Sequence, residues 1–531
     1  MRVGIIIHDT KVPAWVVEVI NEINRDGNVQ WAIVTHLVTN LHSENVSFRY
    51  FRKFDSLILS NKPDLNEKVD LKLAEQVPEL KARLVNTGKH YSLGSADLKT
   101  IRNTNPDLIL YFGSYSLKGE ILEIPKFGIW CLQLGDVNPF SASPAGFWEW
   151  FYRHPVSRAA VIRINESATG YECLAKAATR TEQLSYGRNL RACFSMGIDL
   201  LSSMVAKLAK DNLLPKMPDF VQAHKKHPER EPQLLDSIVA VFKLVSRLMV
   251  KILRKLVFIE QWVLFYYFDS QTFPALNFQK FKALVPPKDR IWADPFVVSQ
   301  AGKHYLFIEE LLRKTNKGHI SCLVMNETGE IEDSKLLIDR PYHLSYPFIF
   351  QHENVWYMIP ESAESKTVDL FECTDFPFHW RFRRSLLTNV EAFDSTVHFH
   401  EGEFWLFCTI KKTAEGSSDD NLYLFHTKDL VDGEWLPHRN NPVISDPVSA
   451  RPAGRIFLHN NTLYRPSQIC VPRYGYGLSL NKITELTEST YAEETISSAL
   501  PNWRKDLLSV HTLNFSKEIT LIDGQLKRSK Y

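Results

Sequence analysis

Several absences narrow what this 531-residue chain can be. Its cysteines number seven, an odd count with no Cys-x-x-Cys pair, which argues for reduced thiols and against a disulfide framework. No stretch reaches the roughly 20 uninterrupted apolar residues of a transmembrane helix. Neither a GxGxxG nor a P-loop sequence is present, so a generic nucleotide-binding claim has no support. The net charge is only +2, which is no nucleic-acid signature. His398, His400 and His438 come without HxxxH or HExxH spacing, and alternation makes the first two same-face neighbours on one strand. We therefore expect no metal and no cofactor. The opening MRVGIIIHDTKVPAWVV lacks a signal peptide's cationic start, sustained apolar core and cleavage site. The expectation is a cytoplasmic protein, with membrane association left open.

What the chain does have is a repeat. Residues 292–309 read WADPFVVSQAGKHYLFIE, 345–361 SYPFIFQHENVWYMIPE, 393–409 FDSTVHFHEGEFWLFCT and 450–466 ARPAGRIFLHNNTLYRP. A weaker fifth copy, HTLNFSKEITLIDG, occupies 511–524. Each copy is an apolar strand, a short polar turn and a second aromatic strand. The interval of roughly 50 residues is that of four-stranded propeller blades. A single hairpin cannot bury its own apolar face, so neighbouring blades must stack about an axis. Five units predict an all-β five-bladed propeller over residues 258–531. Twelve tryptophans and many other aromatics, dense in this half, fit blade packing and sugar stacking, packing being the commoner reason.

The same slot of successive copies holds Asp294, Tyr346, Asp394 and Arg451, with His511 a looser fit. If these are innermost strands, the side chains converge at one mouth of the channel. Two carboxylates, a guanidinium and a phenol suit a polyhydroxylated ligand, or general acid/base work on a glycosidic bond. The bland alternative is that Asp294 and Asp394 cap turns at blade edges. Arg451 and Arg455 in SARPAGR are placed to clamp a phosphate or sugar carboxylate, or else to pair structurally with the two aspartates.

The Ala293-Asp294-Pro295-Phe296 opening resembles blade one of the arabinanase- and invertase-type glycoside hydrolase propellers, where this Asp is the catalytic base. SYPFIF, MIPES, LPHRNNPVISD, SARPAGR and YRPSQ resemble the propeller domain of plant glucosamine inositolphosphorylceramide transferases and their bacterial relatives. The first resemblance implies Asp294 as base and Asp394 as second carboxylate, but it supplies no unambiguous acid. Glu361 is the candidate, and Glu309 is placed similarly. In the plant proteins the resembling domain is separate from the recognised glycosyltransferase domain, which has no counterpart here.

Residues 1–200 alternate strand and helix. Strands are expected at 3–7, 31–35, 106–113 and 128–134, with helices at 14–23, ending at 97–102, and through 120–124. This is an α/β pattern with a largely parallel sheet. The run NPDLILYFGSYSLKGEILEIPKFGIWCLQLGD resembles the formyltransferase fold. Those enzymes move protons with an Asn-x-His pair and a later Asp while formyl passes from 10-formyltetrahydrofolate to an amine. The matching positions here are Cys131, Gln133 and Ala168, with Glu166 a nearby carboxylate and Asp136 and Asn138 lining the old site. Glutamine has no titratable nitrogen with which to relay a proton. The resemblance thus implies a relative that has lost the chemistry over residues 1–205.

Residues 206–257 join the two parts. A polar, proline-bearing linker leads into an apolar helix over 234–256 with Lys243, Arg247, Lys251 and Arg254 along one stripe. Such a helix suits an anionic membrane surface, or packing between domains with its basic stripe in solvent. A strand at 260–268 precedes the first clear blade and is expected to close the ring against the last one. The expected function is a carbohydrate-active protein that builds or modifies a surface glycan or glycolipid by glycosyl transfer, with a sugar nucleotide or a glycan as partner. Alternatives are a glycoside hydrolase, a sugar N-formyltransferase and a non-catalytic glycan-binding scaffold.

Overall fold

A computed structural model describes the whole chain except residues 26, 39–44, 60–63, 74–76, 87–89, 136–142, 168–169, 215–227, 269–272, 275–277, 414–415 and 531. The chain forms two compact units, Met1–Val250 and Lys251–Tyr531.

The first unit is built on an eight-stranded mixed sheet, ordered Tyr171–Arg180, Val156–Ile164, Ile129–Leu134, Leu108–Tyr111, Arg2–Ile7, Gln30–Val38, Glu79–Asn86, Tyr91–Leu93. Its five central strands, from Ile129–Leu134 to Glu79–Asn86, run parallel. Helix Ala14–Arg25 buries Val16, Val19, Ile20 and Ile23, the i, i+3, i+4, i+7 stripe that a covering helix requires. All four residues of Leu108–Tyr111 are buried, as expected of a parallel strand covered on both faces. Antiparallel strands on both flanks extend this parallel core. The helix expected through 120–124 is a single 3-10 turn, Glu120–Glu123. Helix Tyr186–Asp211 follows the sheet, its Ser185 N-cap hydroxyl accepting from the Arg188 N–H at 3.2 Å. Among the described residues it is the one helix long and apolar enough to cross a membrane, yet Leu190, Phe194, Ile198 and Leu201 sit in the unit's core.

Helix Leu234–Val257 corrects the expected basic stripe. Lys243 Nζ donates to the Phe151 carbonyl at 3.1 Å, and Arg247 donates to the carbonyls of Gln183 (2.8 Å) and Trp150 (3.1 Å). These two cations hold the helix to its own unit and do not line a solvent face.

In the second unit five sheets carry the repeats. Blades one to four occupy residues 290–338, 345–388, 391–445 and 457–499; blade five combines 258–268 and 282–284 with 507–529. The short polar turns in the first four copies are two-residue hairpins. Ala301-Gly302, Glu353-Asn354, Glu401-Gly402 and Asn460-Asn461 all have positive φ at both positions, the backbone whose twist matches that of paired strands. Shared apolar clusters then join the blades in a ring. Val297 and Leu306 pack with Leu264 and Leu521, Phe296 with Phe348 and Leu406, Phe407 with Leu463, and Leu478 with Val263 and Ile522. Phe258–Phe268 pairs antiparallel along its whole length with Ile519–Ser529, so the strand before blade one closes the ring. Blade five is thereby completed from both ends of the propeller sequence. None of the seven cysteines is in a disulfide.

Candidate functional site

The repeat slot is a β-bulge. The ladder shifts register between Ala293 and Phe296, between Ser345 and Phe348, and between Phe393 and Thr396. Asp294, Tyr346 and Asp394 stand in those shifts with φ of 49°, 42° and 52°. A left-handed conformation costs a non-glycine residue roughly 1–3 kcal/mol and persists only where surrounding bonds fix it. Here each bulge N–H donates to a carboxylate: Asp294 to Asp523 Oδ2 at 2.8 Å, Tyr346 to Asp294 Oδ2 at 3.2 Å, and Asp394 to Glu361 Oε2 at 3.4 Å. The bulges thereby bind one blade to another.

Two connected clusters result. In the first, Arg451 Nε donates to Asp394 Oδ2 at 2.6 Å, Nη1 to Asp419 Oδ1 at 3.2 Å and Nη2 to Glu361 Oε2 at 3.4 Å. Gln468 Nε2 adds a bond to Asp394 Oδ2 at 2.7 Å. The guanidinium lies between the rings of Phe393 and Tyr474, where cation–π attraction adds to the ion pairs. In the second, Asp294 Oδ1 accepts from Thr512 Oγ1 at 2.8 Å and lies 3.5 Å from His511 Nε2, while His511 Nδ1 lies 2.7 Å from Asp523 Oδ2. The Tyr346 hydroxyl is fully buried against Thr396 Oγ1 at 2.8 Å, so it serves channel packing.

Five carboxyls face only two cations here, and burial raises the cost of every unneutralised charge. Desolvation, then the charge of Asp394, pushes the Glu361 carboxyl well above the usual carboxylate range. Desolvation also raises Asp294, to about 7, although His511 pulls against it. For His511 desolvation lowers the pKa, but Asp523 and Asp294 outweigh it and raise the imidazole to about 9. Asp294, His511 and Asp523 bring ligand-type atoms within 4.8 Å of one another.

Glu361 is the member of the first cluster that reaches open space. It lines a pocket of about 380 Å³ with His343, Ala363, Glu364, Lys366, Glu391 and Phe393. Glu309 stands behind that wall, its Oε1 3.3 Å from His343 Nε2. Burial works against the His343 charge, yet the Glu309 bond raises its pKa overall. Asp294 is not among the lining residues. Arg455 makes none of the Arg451 contacts; it donates through Nη2 to the Ile349 carbonyl at 2.8 Å. Asp419, Gln468, Thr512, Asp523 and His343 join the site without having been singled out in the sequence. Gln468 and Asp523 lie inside the quoted YRPSQ and LIDG segments, which was the available signal. His398 is half-buried and its pKa is lowered to about 4, chiefly by desolvation.

In the first unit, Cys131 lies in the apolar core beside Ile129 and Ile162, and burial pushes its thiol up to about 12. Gln133 Nε2 donates to the Gly135 carbonyl at 3.4 Å. Glu166 accepts from the Gly119 N–H at 2.8 Å. Asp136, Asn138 and Ala168 lie outside the described residues.

The catalytic domain of the family 62 α-L-arabinofuranosidase from Coprinopsis cinerea shares 12% identity over 44% of this chain and 90% of its own, with a TM-score of 0.33. The family 117 glycoside hydrolase Zg3597 of Zobellia galactanivorans shares 11% over 50% and 90%, with a TM-score of 0.32. Likenesses at this level say nothing of chemistry. Glucosamine inositolphosphorylceramide transferase 1 of Arabidopsis thaliana is 31% identical over 245 residues, 44% of this chain and 32% of the relative. Its Oryza sativa subsp. japonica counterpart is 32% identical over 222 residues, 40% and 29% respectively. The chain thus spans about a third of the length of these curated relatives. Residues 278–524 match the family model described as glucosamine inositolphosphorylceramide transferase 1, N-terminal, and it is to that region that the propeller is similar.

Proposed function

We propose that the propeller holds a sugar at the Glu361 pocket and that the protein takes part in building or modifying a surface glycan or glycolipid by glycosyl transfer. The observation that carries this reading is Glu361 itself. It is a carboxyl whose pKa burial and Asp394 push well above the usual carboxylate range, bonded to Arg451 and lining an open pocket. A neutral carboxyl both donates and accepts hydrogen bonds, which suits sugar hydroxyls, and Phe393 offers an aromatic ring beside it. The similarity to the N-terminal region of a glucosamine inositolphosphorylceramide transferase supports a sugar nucleotide and a glycolipid as the substrate classes.

Hydrolysis with Asp294 as base would need Asp294 to face the Glu361 pocket at about 5–9.5 Å. Asp294 instead has both carboxylate oxygens engaged in the channel, which favours binding and transfer. The test incubates the full chain with a panel of sugar nucleotides and detergent-solubilised glycolipids and follows products by mass spectrometry. A glycosylated lipid supports the reading; release of free sugar without transfer overturns it in favour of hydrolysis.

For the first unit we infer a formyltransferase relative that transfers no formyl. Cys131 and Gln133 supply no proton relay, and the Cys131 thiol is held neutral in apolar core. Incubation with 10-formyltetrahydrofolate and amino-sugar nucleotides should give no turnover. Product formation abolished by Gln133→Ala would contradict this.

A further inference from the structure

Helix Leu234–Val257 turns its apolar side outward. Leu235, Ile238, Phe242, Val245, Met249 and Ile252 follow one another at alternating spacings of three and four, and all are exposed, Phe242 by 74% and Leu235 by 72%. The opposite face, with Ser237, Ala240 and Leu244, is buried, and Lys243 and Arg247 fasten it to neighbouring carbonyls. The adjoining helix Val46–Leu59, joined to it by Ser47 Oγ and Ser237 Oγ at 3.3 Å, exposes Tyr50 and Leu57 beside Arg49 and Lys53.

We propose that this face is a docking surface for an anionic lipid bilayer. Charge decides between a bilayer and a second copy of the chain. The helix exposes three cations, Lys251, Arg254 and Lys255, while Lys243 and Arg247 are bonded to carbonyls, and its one acid, Asp236, is bonded to Arg230. Two such helices repel each other, whereas an anionic surface attracts each of them. The flanking positions Val241, Leu248 and Leu253 also carry no charges that could pair across a coiled-coil seam. An apolar face set in a cationic helix binds a membrane interface by burying area and by attraction to anionic headgroups.

The test floats the full chain with vesicles of phosphatidylcholine, and of phosphatidylcholine with phosphatidylglycerol, neither containing a glycolipid. Its outcome is therefore independent of the glycan reading. The wild type should bind the anionic vesicles, less so at high salt, and should bind phosphatidylcholine alone poorly. Phe242→Asp with Met249→Asp should weaken the binding by at least about tenfold at an unchanged melting temperature. Lys251→Glu with Arg254→Glu, which leaves the apolar face intact, should weaken it on anionic vesicles only. Wild-type protein that ignores anionic vesicles, or an aspartate variant that binds as well as wild type, overturns the proposal. A wild-type dimer that the aspartate pair converts to monomer, without vesicle binding, assigns the face to a second copy.

Discussion

Asp294, Tyr346 and Asp394, two carboxylates and a phenol, share a backbone, because each sits in a bulge whose N–H reaches a carboxylate. Their common place was legible as a recurring slot. Asp419, Gln468 and Asp523, which also reach the cluster, were not: no local spacing reports a bond between residues 74 or 229 positions apart. Arg455 shows the converse, since its spacing from Arg451 suggested a clamp while its guanidinium is bonded to the Ile349 carbonyl. His511 yields a pH prediction. Its pKa rises from the ordinary 6.5 to about 9, so the folded state holds the proton more tightly than the unfolded chain. That stabilisation is complete below pH 6.5 and is lost as pH climbs through 9. It amounts to at most about 3–4 kcal/mol, at about 1.4 kcal/mol per pH unit. The melting temperature should therefore fall across this window, and His511→Gln should flatten the fall. An unchanged slope in the variant would show that the Asp294–His511–Asp523 contact is not the proton's site. Asp394→Asn should cost roughly 3–5 kcal/mol in denaturant unfolding, because it weakens the neutralisation of buried Arg451. A loss below about 1 kcal/mol would mean that Asp419 and Glu361 suffice for the guanidinium.

At the scale of elements, the blades were readable because a hairpin is a local object. Period-two alternation, a two-residue turn and an aromatic second strand all lie within about 18 residues, the reach of pattern reading. Blade five was harder to read, since its strands come from both ends of the propeller sequence and meet only on folding. The antiparallel flanks of the first unit and its helix Tyr186–Asp211 lacked an equally clear local signature. Helix Leu234–Val257 was readable as a helix, but which face it buried was not; the burial of Ser237, Ala240 and Leu244 depends on what lies against them. Ring closure gives a direct prediction. Leu264, fully buried where the closing strand meets blade one, should cost about 2–5 kcal/mol when truncated to Ala, read from denaturant unfolding of the full chain. A cost below about 1 kcal/mol would show that this strand contributes little to the ring.

At the scale of the molecule, the chain combines an α/β unit and a five-bladed propeller, and its site rests on side chains from all five blades. Asp523, His511 and Thr512 come from blade five, Asp294 from one, Tyr346 and Glu361 from two, and Asp394 and Asp419 from three. Arg451 and Gln468 accompany blade four. The strand–helix alternation of the first half and the repeat of the second announced a two-part protein without naming its chemistry, because folds of both kinds host many functions. The account's central claim is that the sugar sits against Glu361, and calorimetric titration of wild type and Glu361→Ala with the sugar nucleotide or glycan that wild type binds tests it most directly. We predict that Glu361→Ala, which removes both the donor and the acceptor of the carboxyl, binds at least about tenfold more weakly, a loss of roughly 1.4 kcal/mol or more, while still unfolding in one cooperative transition. Equal affinity in the two proteins, or loss of binding accompanied by loss of the fold, would contradict the claim.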